Sequence, residues 1–379
     1  MLRKEVPYSK KERKVRMMYE KQYMQRALEL AKRGYGKVNP NPCVGAVIVK
    51  ENRIIGEGWH KRYGGPHAEI NALESCKESV AGATIYVTLE PCCHYGKTPP
   101  CTEKIVQSGI TKVIIGCSDP NPLVSGKGAL YLKEHGIEVV TGVLEKECIK
   151  LNEIFFHFIQ NKSPFVVMKY AMTLDGKIAT ATGESRWITG EGAREKVHGE
   201  RNRCMAIMAG VGTVIKDDPV LSCRIEDGRN PIRIICDTRL RTPLDSNIVK
   251  TAKEITTIIA TSCMENERIN LFERHGCKVI VIAEKDGRLD IKQLMLRLGE
   301  EGIDSILLEG GGTLNYSMVK EQQVHLVQAY IAPKIFGGKD AKTPVEGDGI
   351  SNINDCLQLK NTKVLSLGND FLFEGEVIY

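Results

Sequence analysis

Two pieces of sequence decide the fold of the first half of the chain: residues 66–69 (PHAE) and residues 91–101 (PCCHYGKTPPC). His67, Cys92 and Cys101 offer one imidazole and two thiolates. Three protein ligands leave a fourth coordination position for water, as catalytic rather than structural zinc sites do. Zinc at such a site activates water near neutral pH, and a carboxylate beside it is suited to moving the proton. The stretch therefore predicts a hydrolytic zinc site with Glu69 as the proton shuttle.

The spacing of these residues predicts where helices begin. Residues two apart do not share a face inside a helix, so His67 and Glu69 converge only at a helix start. The preceding Gly-Gly-Pro at 64–66 and the run at 70–74 favour such a start. Pro91 suits the entry to a turn or a helix N-terminus, where the positive end favours a thiolate. The eight residues between Cys92 and Cys101 form a loop that must fold over the metal.

Each piece also has a purely structural interpretation. A lone His-x-Glu is usually a surface pair, and an intracellular cysteine is usually a small buried apolar residue. Taken together, with a strand-like run at 84–89 between them, the pieces match the order His-x-Glu…Pro-Cys…Cys of the zinc deaminases of nucleobases. The combination therefore favours a catalytic zinc site over the structural interpretation. A zinc-stabilised binding module is an alternative. It would need Cys93 or His94 as a fourth ligand and no Glu69; Cys93 would point away from Cys92.

Length and composition are those of a globular protein of two domains. The chain has 379 residues, of which 42% are hydrophobic and 26% charged. It has no run of eighteen apolar residues and no apolar N-terminal core, so no membrane association is expected. Thirteen cysteines, an odd number at irregular spacings, are typical of free thiols in a reducing, cytoplasmic compartment.

The net charge of +6 is concentrated at the start of the chain. Residues 1–18 hold seven Lys and Arg against two Glu, which predicts a basic, disordered leader. A basic tail is also typical of nucleic-acid binding, so a nucleic-acid base deaminase is an alternative. That alternative leaves the second half of the chain unexplained, and no nucleic-acid partner is expected.

Strand-like and helix-like runs alternate along the chain, which indicates an α/β layered architecture. A deaminase domain is predicted over residues 19–160, and Asn-Lys-Ser-Pro at 161–164 is the linker candidate. A second domain is predicted over residues 165–379. In the first domain we expect helices at 19–33, 67–74, 102–108, 129–134 and 146–160, and strands at 44–49, 54–59, 84–89, 112–116 and 138–141. In the second we expect strands at 165–171, 204–209, 231–236, 255–260, 278–282, 305–308 and 326–331, and helices at 192–203 and 289–298.

A glycine run is the second chemical signal. Glu309 and three glycines follow the buried strand at 305–308, and Thr313 opens a helix. Backbone amides at such a turn approach an anion at the positive helix end, although a plain tight turn explains the glycines equally well. The Gly210-Val211-Gly212 run has Ile at 215, so it is not the dinucleotide-binding fingerprint.

From residue 19 onward, the motifs resemble the bifunctional deaminase/reductase family of riboflavin biosynthesis. The deaminase motifs are NPNPxVG at 39–45, HAE at 67–69, TLEPC at 88–92 and GKTPPC at 96–101; the reductase motifs are LDGK at 174–177, GESRWIT at 183–189, DDP at 217–219 and EGG at 309–311. The long gap between the two cysteines is also what this family has. The resemblance implies a cytidine-deaminase-like α/β/α domain followed by a dihydrofolate-reductase-like α/β domain.

The resemblance also implies two reactions and two cofactors. The first is zinc-dependent hydrolytic deamination of 2,5-diamino-6-ribosylamino-4(3H)-pyrimidinone 5′-phosphate. The second is reduction of the ribosyl group to ribityl by NADPH. Zn²⁺ would be bound by His67, Cys92 and Cys101, with Glu69 as the catalytic proton donor. A small pyrimidine ribose phosphate is thus the expected partner, and a homo-oligomer is plausible for such an enzyme.

The remaining site residues also follow from the resemblance. In the deaminase domain, substrate contacts are expected from Asn41, His60, His94 and Lys97. Cofactor positions in the reductase domain are matched by Ala171, Trp187, Thr213, Asp217, Gly311, Gly312 and Thr313. Substrate positions there are matched by Lys169, Ser185, Arg201, Leu221, Arg224 and Glu309. The two arginines suit the substrate phosphate, because guanidinium binds phosphate bidentately. One half could have lost its activity, but every motif residue is present.

Overall fold

The computed structural model describes residues 10–95, 99–122 and 124–379, the first eight of them by backbone alone. Lys97 and residues 1–9 of the expected leader lie outside the described residues. The chain divides into two compact units, one ending at Gln160 and the other running over Asn161–Tyr379. Within the described part of the chain, no helix has the length and apolar character that crossing a bilayer requires. All thirteen cysteines are free thiols.

The first unit is a five-stranded sheet between helices. Its helices are α1 (Lys10–Ala31), α2 (Ala68–Ser75), α3 (Cys101–Gln107), α4 (Lys127–Glu134), α5 (Glu145–Leu151) and α6 (Glu153–Asn161). Its strands are β1 (Gly45–Lys50), β2 (Arg53–Trp59), β3 (Thr84–Leu89), β4 (Lys112–Cys117) and β5 (Glu138–Thr141). The strand order is β2-β1-β3-β4-β5. The pairs β1–β2 and β1–β3 are antiparallel, and β3, β4 and β5 are parallel.

Helix α1 packs closely against the sheet at Gly45. It buries Met24, Ala27 and Ala31, and a Cβ at Gly45 of β1 would lie 1.9 Å from the carbonyl oxygen of Ala27. Only glycine allows this approach. The helix begins at Lys10, inside the stretch expected to be a disordered leader, so the start predicted at residue 19 was too late.

The helix expected over 146–160 is interrupted at Asn152. The side chain of Asn152 accepts a hydrogen bond from Cys43 N at 2.8 Å and donates one to Cys43 O at 2.9 Å. These two bonds separate α5 from α6 and fix the loop that precedes β1, which carries Asn41.

The second unit is built on a nine-stranded sheet. Its strands are β6 (Phe165–Thr173), β7 (Ala206–Gly210), β8 (Ile232–Cys236), β9 (Thr257–Thr261), β10 (Lys278–Val281), β13 (Ser305–Leu308), β14 (Leu326–Ala332), β15 (Gln358–Leu367) and β16 (Asp370–Ile378), with a separate short hairpin of β11 (Glu284–Lys285) and β12 (Arg288–Leu289). Its helices are α7 (Glu191–Arg203), α8 (Val211–Asp217), α9 (Asn247–Lys250), α10 (Asn266–Arg274), α11 (Ile291–Glu300) and α12 (Gly312–Lys320).

The order in this sheet is β10-β9-β8-β7-β13-β6-β14-β16-β15. The seven strands from β10 to β14 are parallel, and β16 and β15 add an antiparallel edge. The order reverses around β13, which lies between β7 and β6. In open parallel sheets, ligands bind beyond the carboxyl ends of the strands at such a reversal.

Candidate active sites

Three predicted metal ligands meet in the first unit. His67 Nδ1 lies 3.5 Å from Cys92 Sγ and 3.3 Å from Cys101 Sγ, and the three ligand atoms all lie within 4.8 Å of one another. Tetrahedral zinc with normal bond lengths separates a nitrogen and a sulfur ligand by about 3.5 Å. The donor set and its spacing therefore fit a zinc ion.

The local fold explains why the ligands converge. His67 is the N-cap residue of α2, but its side chain makes no capping bond and turns towards the cysteines. Cys101 begins α3, and its backbone N–H donates to Cys92 Sγ at 3.3 Å. The helix start expected at His67 is confirmed; of the two cysteines, it is Cys101 that opens a helix.

Electrostatics prepares Cys92 for ligation, whereas His67 and Cys101, whose pKa values are raised, must each lose a proton to the incoming metal. A hydrogen bond to Cys92 raises the pKa of His67 to about 9. The pKa of Cys92 lies well below that of a free thiol, because it accepts a hydrogen bond from Cys101 and lies beside His67. Metal binding requires deprotonated ligands, and Cys92 is thus poised as a thiolate.

Glu69 is buried beside this cluster, with 3% of its surface exposed. Burial raises the pKa of its carboxyl, and the nearby His67 opposes the rise. Glu69 and His67 both line a cavity of about 330 Å³. A buried carboxyl with a raised pKa is suited to accepting a proton and giving it back.

Three of the four expected substrate residues also line this cavity: Asn41, His60 and His94. His60 Nδ1 lies 3.0 Å from Pro66 O, which can only accept, so this nitrogen carries the proton. His60 Nε2 therefore accepts from Asn41 Nδ2 at 3.3 Å. Both ring nitrogens are engaged, so His60 orients Asn41 and Pro66 and has no free nitrogen for a ligand.

Among the cavity residues for which the sequence analysis predicted no role are the polar residues Glu90, Asp119 and Asn121. Glu90 accepts hydrogen bonds from the backbone of Asp119, Gly126 and Ala129 and so fixes the loop after β4. Burial raises the pKa of Asp119 to about 6. The position of Asp119, just beyond the carboxyl end of a parallel strand, is the signal that could have identified it.

In the second unit, three expected substrate residues form one ionic cluster. Arg201 on α7 binds Glu309 through two nitrogens, at 2.7 and 3.0 Å. Lys169 on β6 lies 3.5 Å from the same carboxylate. Burial alone would raise the pKa of Glu309, but Arg201 and Lys169 lower it to about 2. The third nitrogen of Arg201 donates to Ser222 O at 2.9 Å.

This geometry changes the expected role of Arg201. Its bidentate face meets Glu309, whereas the sequence analysis expected it to meet the substrate phosphate. Arg224 is exposed, and its guanidinium makes no hydrogen bond with the described residues. Leu221 has φ of 54°, a conformation that a leucine adopts only when its surroundings impose it.

The glycine turn lies where the sequence places it, between β13 and α12. Gly311 is the N-cap of α12 and a Cβ there would meet nothing within 4 Å. A Cβ on Gly312 would lie 2.4 Å from Glu346 Cγ. Thr313 Oγ1 donates to Glu346 Oε2 at 3.2 Å. The open side of the turn is therefore at Gly311, and Gly312 is a packing position.

The other expected cofactor and substrate residues lie at the carboxyl edge of the same sheet. Ala171 is near the end of β6, and Ser185 and Trp187 are on the segment that follows it. The Trp187 ring is exposed and lies under Arg194, with the guanidinium carbon 4.8 Å from the ring centroid. Thr213 and Asp217 are on α8, and Asp217 O accepts from Arg186 at 2.8 Å.

Fold and site together define a two-domain enzyme in which a zinc-dependent deaminase precedes a parallel-sheet domain with a ligand edge. Two family models match the chain: the cytidine and deoxycytidylate deaminase zinc-binding region over residues 17–117, and the RibD C-terminal domain over residues 164–373. The chain belongs to the RibD family of riboflavin biosynthesis proteins, and it joins a deaminase to an NADPH-dependent reductase.

Individual relatives span both halves. The riboflavin biosynthesis protein RibD of Actinobacillus pleuropneumoniae is 53% identical over 94% of this chain and 95% of its own. That of Aquifex aeolicus is 43% identical over 93% and 97%. A solved deaminase/reductase structure from Thermotoga maritima, named for a diaminohydroxyphosphoribosylaminopyrimidine deaminase and 5-amino-6-(5-phosphoribosylamino)uracil reductase, superposes with a TM-score of 0.84 at 40% identity, covering 96% of this chain and 100% of that one.

These matches confirm the expected family, both fold classes, the bifunctional activity and the zinc and NADPH cofactors. They also account for residues 164–373, which a nucleic-acid base deaminase would not.

Proposed function

We propose that the first domain deaminates 2,5-diamino-6-ribosylamino-4(3H)-pyrimidinone 5′-phosphate. We propose that the second domain then reduces the product, 5-amino-6-(5-phosphoribosylamino)uracil, to 5-amino-6-ribitylaminouracil 5′-phosphate. The observation that carries the proposal is the cluster of His67, Cys92 and Cys101 beside a buried Glu69 in one cavity. The name printed for the Thermotoga maritima structure supports the choice of substrates.

In the deaminase site, we assign zinc to His67, Cys92 and Cys101. Zinc held there would supply the Lewis acidity that makes water nucleophilic near neutral pH. Glu69 takes the proton of the attacking water and delivers it to the departing ammonia. Its burial keeps competing water away from the carboxyl, and its raised pKa makes it a better acceptor of the water's proton than an exposed carboxylate would be.

We assign recognition of the pyrimidine to Asn41 and His94, with His60 holding Asn41 in place through its Nε2. Lys97 stays a proposed phosphate contact from the resemblance. Asp119 and Asn121, which the resemblance did not supply, line the same cavity, and their polar side chains suit the ring edge or the ribose.

In the reductase site, we assign NADPH to the carboxyl edge of the sheet, with Ala171, Trp187, Thr213, Asp217 and the turn of Gly311, Gly312 and Thr313. NADPH bound there would supply the hydride, and the protein's task is to place the nicotinamide against the sugar carbon. Substrate contacts are assigned to Lys169, Ser185, Arg201, Leu221, Arg224 and Glu309. The Arg201–Glu309 pair positions the end of α7 against the loop after β13.

We propose domain limits at 19–160 and 165–379, with residues 1–18 as a basic leader. The division into compact units at Gln160 supports the inner limit. Residues 10–18 of this leader belong to α1, which continues into the first domain. The enzyme is proposed to be a cytoplasmic homo-oligomer that acts on small molecules.

The test is one assay of the full-length, zinc-loaded protein with the diaminopyrimidinone phosphate, run with and without NADPH. Ammonia release without NADPH, followed by NADPH oxidation after its addition, is the expected result. Deamination without oxidation would reject the assigned reductase substrate. Absence of ammonia from zinc-replete protein would reject the deaminase assignment and return the metal to a structural role.

A further inference from the structure

His198 lies inside the ionic cluster of the second unit, although no motif pointed to it. It precedes Arg201 by three residues on α7, and residues at that separation share a helix face. The segment after α8 is fastened to the same face by two bonds. Cys223 Sγ donates to His198 O at 3.5 Å, and Arg201 donates to Ser222 O at 2.9 Å. Arg224 follows on this segment.

The cluster has the charge that a phosphate monoester requires. Lys169, Arg201 and Arg224 are cations, and among the described residues Glu309 is the one carboxylate that pairs with Lys169 and Arg201. With His198 neutral, the sum is two positive charges, which match the nearly doubly negative phosphate at pH 7. Because Arg201 directs two nitrogens to Glu309 and a third to Ser222 O, it has few N–H groups left for a ligand.

The imidazole of His198 has unused hydrogen-bonding capacity. Its Nδ1 is buried and has no partner among the described residues. Its Nε2 makes no hydrogen bond with them either, but it is not buried, since the residue is half-buried. A buried N–H without an acceptor is rarer in proteins than an unpaired acceptor. The proton of the neutral ring is therefore assigned to Nε2, which faces outward as a donor.

The neighbouring charges explain why the ring is neutral. Burial lowers the pKa of His198, and Arg201, Arg224 and Lys169 lower it further, against the opposing effect of Glu309. These four groups come from α7, from the segment after α8, from β6 and from the end of β13. The ring is thus a neutral hydrogen-bond donor that is surrounded by cations.

We propose that His198 binds the 5′-phosphate of the reductase substrate through Nε2–H, beside Arg224 and the remaining N–H groups of Arg201. The proposal rests on the proposed function, because that function supplies the phosphorylated substrate. The phosphate would then have a third hydrogen-bond donor besides the two arginines. The short His198 side chain holds this donor in a position that helix α7 fixes.

The test compares three variants on two substrates. In His198→Gln the side-chain amide reaches the position of Nε2 and keeps a donor there, whereas His198→Asn places the amide near Nδ1 and His198→Ala removes it. With 5-amino-6-(5-phosphoribosylamino)uracil, we expect the Asn and Ala variants to raise KM by about ten- to a hundredfold, the usual effect of a hydrogen bond to a charged group. His198→Gln should stay within a few-fold of the parent. The kcat and the KM for NADPH should not change.

The second substrate is 5-amino-6-ribosylaminouracil, which lacks the phosphate. All three variants should reduce it as the parent protein does. His275→Gln is the matched control, because His275 is exposed at the C-cap of α10 and its Nδ1 already lies 2.7 Å from Leu271 O. Melting temperatures and the deaminase activity of each variant check that the protein is folded.

Several outcomes would overturn the proposal. Equal losses on both substrates would mean that His198 has a structural role, and a loss confined to kcat would mean that it acts near the reacting carbon. Failure of Gln to outperform Asn would remove the assignment to Nε2. If the parent protein does not reduce the phosphorylated substrate at all, then the proposed function fails, and this result is distinct from the other three.

Discussion

Replacing Glu69 by Gln tests the deaminase assignment most directly. Glutamine has nearly the same size and still forms hydrogen bonds, but it cannot accept and return a proton. Glu69 is 3% exposed, so bulk water has little access to the place where the proton is transferred. General acid–base catalysis contributes about 10²- to 10⁴-fold, and burial places the expected loss towards the upper part of this range, at about 4–5 kcal/mol in the activation free energy.

The measurement is ammonia release by full-length protein, with zinc content and NADPH-dependent reduction measured on the same preparation. We expect one zinc per chain, an unchanged reductase rate, and deamination reduced by about a thousandfold or more. Glu74→Gln is the matched control, because Glu74 is an exposed glutamate on the same helix, α2. Its deamination rate should stay at the parent level.

The reasoning would be refuted if Glu69→Gln kept more than a tenth of the parent deaminase rate. It would also be refuted if the variant lost its zinc, since the carboxyl would then be a ligand. Asp119 is the rival carboxyl, because it lines the same cavity and its pKa is raised to about 6 by burial. If Asp119→Asn abolishes deamination while Glu69→Gln does not, the proton shuttle is Asp119.

Three other perturbations have distinct expected outcomes. Cys101→Ser removes one of three metal ligands, so zinc content and ammonia release should fall together while the reductase rate stays; stoichiometric zinc in the variant would contradict the ligand assignment. A Cβ on Gly312 would lie 2.4 Å from Glu346, whereas one on Gly311 meets open space. Gly312→Ala should therefore lower the melting temperature, and Gly311→Ala should leave it unchanged but raise the KM for NADPH; the reverse pattern would reject the turn as a cofactor site. The pKa of Glu309 is lowered from 4.5 to about 2, so its ionised form stabilises the fold above about pH 4.5, and this contribution disappears as the pH falls towards 2. At pH 7 it is about 3 kcal/mol, so Glu309→Gln should speed hydrogen exchange in β13 at neutral pH, and a difference that persists unchanged near pH 2 would contradict the assignment.

Local sequence patterns were sufficient to predict those strands and motifs that are determined by their own residues. The strands predicted at 84–89, 138–141 and 305–308 have those limits in the structure. Alternation and buried apolar runs mark such strands without help from the rest of the fold. The metal site was equally accessible, because three rare ligand types at fixed positions carry the chemistry themselves.

Tertiary contacts decided most of the features that the sequence analysis missed. The early start of helix α1 is the exception, because it follows from the local helix propensity of Lys, Glu and Arg, whereas their charge alone had indicated a disordered leader. The edge strand β15 is exposed along almost all its length and therefore has no apolar alternation. The bidentate contact of Arg201 with Glu309 joins residues far apart in sequence, and a motif that names both as substrate residues does not show that they bind each other.

The deaminase cavity draws on parts of the chain that are far apart in sequence, and so are made at different times during synthesis. All three metal ligands precede residue 102. The loop that carries Asn41 is held by His60 and by Asn152, and the ribosome adds Asn152 much later than the metal ligands. Phe155, which also lines the cavity, is later still, so the cavity cannot be complete in a nascent chain that has only just acquired its three metal ligands.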